Sequence, residues 1–174
     1  MRLVVVSDTH GDAMHLPDVL SRARGGRFPV DAILFLGDGL GDLSILAPYG
    51  VPIVYVRGNC DYSFTDAPEE ETLRFEGRRI LLTHGHRYDV KWGLDRLAME
   101  AAVRDVDIVL FGHTHLPTEK YYPAGTSVCG VTLEKPVYLF NPGSLRESRG
   151  GYSAGFGVLE LTDAGVLWSH VPML

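Results

Sequence analysis

Five short runs of aliphatic residues dominate the first two thirds of the chain, at residues 3–6, 32–36, 53–56, 80–82 and 108–111. They show little alternation with polar residues, so each reads as a strand buried on both faces rather than one half of a wetted sheet. Such strands must be covered from both sides. The intervening segments supply candidate helices. Residues 16–24 carry apolar side chains at helical spacing, with Pro17 in the first turn and Gly25-Gly26 at the end. Residues 92–104 repeat the pattern through Leu94, Leu97, Ala98 and Ala101. Residues 42–46 read as one short helix closed by Pro48.

The pattern then turns to strands. Residues 71–75 and 79–82 flank Glu76-Gly77 as a hairpin. Beyond Pro117, Tyr121-Tyr122 and residues 127–133, 137–140, 155–161 and 166–171 read as further strands, with Asp163-Ala164-Gly165 turning the last pair. No linker or repeat divides the 174 residues. The expectation is a single domain over residues 1–174 of class α/β: a four-layer αββα sandwich, two mixed β-sheets flanked by helices. A chain of this length buries roughly 70% of its unfolded surface and needs no disulfide merely to fold.

Each aliphatic run ends in polar residues of one kind. The first leads to Ser7-Asp8-Thr9-His10, the second to Gly37-Asp38 and the third to Arg57-Gly58-Asn59-Cys60-Asp61. The fourth leads to Thr83-His84-Gly85-His86 and the fifth to Gly112-His113-Thr114-His115. If the strands are parallel neighbours, these ends converge on one edge, where α/β folds place their ligands. Carboxylates, imidazoles and one amide suit Mn²⁺, Fe²⁺, Zn²⁺ or Co²⁺ better than the oxygen-seeking Mg²⁺ or Ca²⁺. The seven candidates Asp8, His10, Asp38, Asn59, His84, His113 and His115 exceed the needs of one tetrahedral ion. They fit two ions sharing a carboxylate, the usual clamp for phosphoester hydrolysis.

Charge and composition narrow the class. Sixteen Lys and Arg against 22 Asp and Glu give a net charge of −6, which argues against a broad nucleic-acid surface. The apolar runs are far too short to cross a bilayer. The first run breaks at once into Ser7-Asp8, unlike a signal peptide. Cys60 and Cys129 make no disulfide framework, so a cytoplasmic location is expected.

In order and content, Asp8-Thr9-His10, Gly37-Asp38, Gly58-Asn59-Cys60-Asp61, Thr83-His84-Gly85-His86 and Gly112-His113-Thr114-His115 resemble the motifs of the calcineurin-like metallophosphoesterase superfamily. The short length and Asn141-Pro142-Gly143-Ser144 look like its small prokaryotic phosphodiesterase branch, to which the retromer small subunit is related in fold. The resemblance implies one metal held by Asp8, His10 and His115, another by Asn59, His84 and His113, and Asp38 bridging them. It implies two divalent ions, Mn²⁺ above all, with Zn²⁺, Fe²⁺, Ni²⁺ or Co²⁺ compatible, and a small phosphodiester substrate. A metal-bridging hydroxide would attack phosphorus in line with the leaving oxygen. Asp38, Asn59, Asp61 and His84 would carry the catalytic work, Asp61 as an acid that orients its neighbours.

One departure matters. Many members place His after the Asn of the third motif to protonate the leaving group, and here that residue is Cys60. A general acid contributes roughly 10²–10⁴-fold, so esters with a stabilised leaving oxygen should be preferred. Cys60, His86, Arg57 and Arg146 are the candidate substrate contacts, with Arg87 and Arg149 as further phosphate grips. His15 reads as a helix-face residue, His170 as a strand residue without a role, and Cys129 as a small core hydrophobe. Residues around Tyr121-Tyr122 and Trp168 read either as a homo-oligomer interface or as edge packing. The rival functions are an interaction scaffold of the retromer-subunit type and a nucleotide or phosphoprotein phosphomonoesterase.

Overall fold

The computed structural model describes residues 1–24, 29–147 and 149–173. In chain order the strands are β1 (Arg2–Val6), β2 (Ala32–Phe35), β3 (Ile53–Tyr55), β4 (Glu70–Phe75), β5 (Arg78–Thr83) and β6 (Ile108–Leu110). There follow β7 (Pro117–Tyr122), β8 (Ser127–Val128), β9 (Val131–Thr132), β10 (Val137–Pro142), β11 (Gly155–Thr162) and β12 (Gly165–Pro172). The α-helices are α1 (Leu16–Ala23) and α2 (Asp95–Val103), with 3₁₀ segments at Ala13–His15, Leu40–Tyr49 and His86–Tyr88.

The described strands form two five-stranded sheets and a small hairpin, β8-β9. The first sheet runs β12-β11-β1-β2-β3 and the second β4-β5-β6-β10-β7. β1, β2 and β3 are parallel, with Leu3 opposite Ala32 and Ile33 opposite Ile53, while β11 and β12 are antiparallel. In the second sheet β5, β6 and β10 are parallel, and β4 and β7 are antiparallel edges. The five aliphatic runs therefore divide three and two between sheets instead of lining one edge.

Alternation along each strand decides the layers. Leu3, Val5, Leu34, Leu36, Ile80, Leu82, Ile108 and Leu110 meet between the sheets. Val4, Val6, Ile33 and Phe35 face outward onto Leu16, Val19 and Leu20 of α1. Leu81, Val109 and Phe111 face outward onto Leu97, Ala98 and Ala101 of α2. This is the expected αββα order. Because both faces are covered, an apolar residue is favoured at every position, which is why the sequence shows no period of two.

Several local expectations need correction. The run at 53–56 is not buried throughout: β3 is a sheet edge, half-buried at Ile53 and Val54 and exposed at Tyr55. The segment 92–104 becomes helical only from Asp95, because a turn from Asp89 to Trp92 precedes it, and Trp92 is 91% exposed. The short helix at 42–46 is a longer 3₁₀ stretch that runs through Pro48 and stops at Gly50, whose φ is 62°. Residues 127–133 are not one strand. Cys129 and Gly130, with φ of 49° and 79°, make the two-residue turn that folds β8 onto β9. Cys129 is accordingly exposed, not core. The stop placed at Gly25-Gly26 lies outside the described residues. Among those residues, no helix is long and apolar enough to cross a membrane.

Candidate metal centre

The carboxyl ends of β1, β2, β5 and β6 meet at one rim of the sandwich, across both sheets. Backbone hydrogen bonds knit the exits together: Asp8 donates to the Gly37 carbonyl and His10 to that of Asp38, each at 3.0 Å, and Gly112 donates to that of His84 at 3.1 Å. Glycine is needed where these turns touch. A Cβ on Gly58 would lie 2.1 Å from Asp38 Oδ1, and one on Gly112 would lie 2.0 Å from Ser7 Oγ.

Two clusters result. Asp8, His10 and His115 bring ligand atoms within 4.8 Å of one another, and so do Asp38, His84 and His113. Asp8 Oδ1 is 3.2 Å from His115 Nε2, 3.6 Å from His10 Nε2 and 3.9 Å from His84 Nε2. Asp38 Oδ2 lies between the clusters, 3.2 Å from His84 Nε2 and 3.9 Å from His10 Nε2. Cys60 Sγ also comes within 4.8 Å of ligand atoms of His10 and Asp38, which brings this candidate substrate contact to the centre. Asn59 is exposed, and its Nδ2 donates to Cys60 Sγ at 3.2 Å.

The far side of each group is committed to protein. Asp8 Oδ2 accepts from Ser7 Oγ and from the His113 N–H. His84 Nδ1 sits 2.8 Å from the Leu36 carbonyl, and His115 Nδ1 sits 3.1 Å from that of Glu147. A carbonyl only accepts, so both Nδ1 atoms carry the proton, and in the neutral ring Nε2 presents its lone pair to the rim. Asp8 Oδ1 and His84 Nε2 are fully buried without a hydrogen-bond partner, although Asp38 Oδ2 stands near the latter in poor geometry. Asp8 Oδ1 and His84 Nε2 stand 3.9 Å apart, and two buried acceptors this close are costly unless a cation or a proton lies between them. The residues present therefore fit divalent ions of the mixed nitrogen–oxygen kind.

Electrostatics agree. Burial alone would raise the Asp8 carboxyl, but its contacts to His10 and His115 and the nearby His84 outweigh this and hold it well below the usual range. Burial likewise opposes the shift at Asp38, which His84 and the Cys60 N–H lower. His10 is raised by Asp8, and His84 is raised by Asp38 and Asp8 against its own burial. Burial and the neighbouring His84 push His113 down to about 4 and lower His86 as well.

Five of these residues hold left-handed backbone: Asp8, His10, Asp38, His113 and His115, with φ between 46° and 68°. Each such residue costs about 1–2 kcal/mol and persists only where neighbours enforce it. The enforcing groups are visible. Asp61 accepts four backbone N–H groups, from Asp38 and Gly58 on Oδ2 and from Gly39 and Leu40 on Oδ1. Asn141, fully buried, donates to the Gly112 carbonyl at 2.9 Å and to Thr114 Oγ1 at 3.1 Å. Ser144 Oγ donates to the Asp8 carbonyl, and the Arg146 guanidinium to that of His10.

Sequence reasoning missed Ser7, Asn141 and Ser144 as positioning groups. The one available signal is Asn141-Pro142-Gly143-Ser144, whose composition is that of a turn, although Asn141 and Pro142 close β10. Arg146 binds backbone, and Arg57 and Arg87 are both paired with Glu69. The Arg149 N–H donates to the His115 carbonyl at 3.2 Å. His86 stands 5.5 Å from the His84 ring, its Nδ1 buried without a partner. His15 is exposed beside Asp12. His170 does have a role: it stacks on Phe140, faces Glu119 at 3.4 Å and donates from Nε2 to the Asn141 carbonyl.

Comparison with known proteins agrees with this geometry. Residues 1–164 match the calcineurin-like phosphoesterase superfamily domain. The chain is 30% identical to the probable metallophosphoesterase YsnB of Bacillus subtilis over 161 residues, covering 92% of this chain and 85% of YsnB. It is 30% identical to the phosphodiesterase YfcE of Escherichia coli K12 over 184 aligned positions, covering 92% of this chain and 88% of YfcE. Among solved structures, a predicted phosphoesterase from Streptococcus pneumoniae aligns at TM-score 0.71 and 28% identity, covering 93% of this chain and 83% of that one. Vps29 of Entamoeba histolytica, solved with Zn²⁺, aligns at TM-score 0.71 and 25% identity, covering 97% and 90%. The chain belongs to the calcineurin-like phosphoesterase superfamily.

Proposed function

We propose that this member of the superfamily is a phosphodiesterase dependent on two divalent cations, with Mn²⁺ the expected activating ion. Asp8, His10 and His115 would hold one ion, Asn59, His84 and His113 the other, with Asp38 shared. The observation that carries the reading is the pair of buried, unpartnered acceptors, Asp8 Oδ1 and His84 Nε2, at the meeting point of the two clusters. Bound cations supply Lewis acidity, drawing charge from phosphoryl oxygens and acidifying water.

The chain's own residues supply the rest. Leu36 and Glu147 carbonyls fix the tautomers of His84 and His115, so the rim is set before substrate arrives. Asp61 acts as a positioning residue, since both its oxygens are taken by backbone N–H groups. In the cation-free protein partial burial and the Asp38 charge push the Cys60 thiol up to about 11, and a thiol standing where an imidazolium would serve is a weak proton donor. Diesters whose leaving oxygen is already stabilised should therefore react best. A single domain in the cytoplasm fits the free thiols Cys60 and Cys129, and a small diester fits an acidic protein without a broad basic face.

The likeness to Vps29 motivates a second reading, a cation-holding scaffold without turnover. The test is hydrolysis of bis(p-nitrophenyl) phosphate and p-nitrophenyl phosphate by metal-stripped protein reloaded with Mn²⁺. The expected result is Mn²⁺-dependent diester cleavage, faster than monoester cleavage, and lost at least 100-fold in Asp38→Asn. A loaded wild type inert toward both esters would leave the scaffold reading in its place.

A further inference from the structure

One carboxylate holds two guanidinium groups from the segments that lead into and out of the candidate centre. Glu69 Oε1 accepts from Arg57 Nη2 at 2.7 Å, and Oε2 accepts from Arg87 Nη1. Arg57 immediately precedes Gly58, the residue that packs against the Asp38 carboxylate. Arg87 immediately follows His86, whose ring stands 5.5 Å from His84 and 6.1 Å from His113. Backbone geometry reinforces the pairing, because the Arg57 N–H donates to the Pro68 carbonyl at 2.8 Å, one residue before Glu69.

The chemistry of the two ester classes differs in what it asks of such arginines. At neutral pH a phosphodiester carries one negative charge, whereas a phosphomonoester carries about 1.5 to 2. Planar guanidinium forks reward that extra charge with bidentate, charge-assisted hydrogen bonds. With both oxygens of Glu69 engaged, one N–H of each guanidinium is taken and one of their two charges is offset.

We propose that Glu69 sets the charge class of the substrate: by holding Arg57 and Arg87, it withholds the cationic forks a dianionic terminal phosphate would need and favours monoanionic diesters. The inference rests on the hydrolytic reading above and adds a specificity-determining residue that makes no contact with the clusters themselves.

The test is Glu69→Gln in the full chain loaded with Mn²⁺. The change is isosteric, at a side chain that is 33% exposed. Two quantities are compared with wild type: the ratio of kcat/KM for p-nitrophenyl phosphate to that for bis(p-nitrophenyl) phosphate, and the calorimetric Kd for inorganic phosphate. Freeing the arginines should raise the ratio on the order of tenfold and tighten phosphate binding by a similar factor. Adding Arg57→Gln and Arg87→Gln to the variant should cancel both gains. A ratio and a Kd unchanged within twofold, with diester cleavage intact, would overturn the inference alone. So would a gain that survives loss of both arginines, since Glu69 would then act by direct repulsion. A wild type that cleaves neither ester would overturn the hydrolytic reading and this inference with it.

Discussion

Two sets of turns in this molecule pass through left-handed backbone, and they differ in what stands beside the bend. In the peripheral hairpins, Glu76-Gly77 and Cys129-Gly130 take φ of 46°, 73°, 49° and 79°, and a Cβ on either glycine would meet nothing within 4 Å. On the rim the bend is held by Asp8, His10, Asp38, His113 and His115, while Gly58 and Gly112 fit tightly beside them. In the hairpins the left-handed pair serves strand twist and nothing more. On the rim the same conformation aims chemically loaded side chains, and buried hydrogen bonds from Asp61, Asn141 and Ser144 offset its cost. Strain without support marks a turn; strain with dedicated support marks the site.

That contrast can be broken at graded cost. Asp61→Ala should be the most damaging, because it strands four backbone N–H groups at about 1–3 kcal/mol for each one left unsatisfied in the interior. Thermal and urea denaturation should register a loss of about 4 kcal/mol or more. Asp61→Asn, which keeps one accepting oxygen, should lose roughly half as much. Gly112→Ala forces a methyl against Ser7 Oγ and to within 2.8 Å of Asp8 Oδ2. It should cost about 1–3 kcal/mol by overpacking and also weaken cation binding, measured by calorimetry. Asn141→Ala releases the Gly112–Thr114 turn and should lower cation affinity on the order of tenfold, as losses behind a metal site do. Gly77→Ala should cost only about 1 kcal/mol, a fall in Tm of about 2–4 °C, with cation binding unchanged.

The smallest signal is in protons. His10 and His84 are raised by the carboxylates facing them, so at pH 7 they hold more proton than free imidazole would. Cations displace those protons. Loading the stripped protein in weak buffer should therefore release on the order of one proton per chain, and affinity should fall as pH drops below 7. Indicator-dye uptake measures the release, and Gly77→Ala should leave it untouched.

Much of this was legible from residues alone, for a physical reason. A strand buried on both faces tolerates polar residues only where it leaves the core, so Asp8, Asp38, His84 and His113 announced both the strand ends and the site. Glu76-Gly77 is equally plain, because two-residue turns have few chemical solutions, and Asp163-Ala164-Gly165 marks the last turn although Gly165 already belongs to β12. What stayed hidden is set by distant packing. That β3 is an edge follows from which sheet it joins, and its sequence does not differ from that of a central strand. Cys129-Gly130 is hidden as a turn because Val128 and Val131, which flank it, continue the apolar pattern of a strand. Asn141 supports a turn 29 residues away, and Glu69 claims Arg57 and Arg87 from 12 and 18 residues away, at spacings with no local period.

Two cations meeting at the rim are tested most directly by titrating metal-stripped protein with Mn²⁺ and following electron paramagnetic resonance. The expected result is uptake of two ions per chain with a signal of two coupled spins, and loss of that coupling in Asp38→Asn. Uptake of a single uncoupled ion, or a coupled pair that survives unchanged in Asp38→Asn, would contradict it.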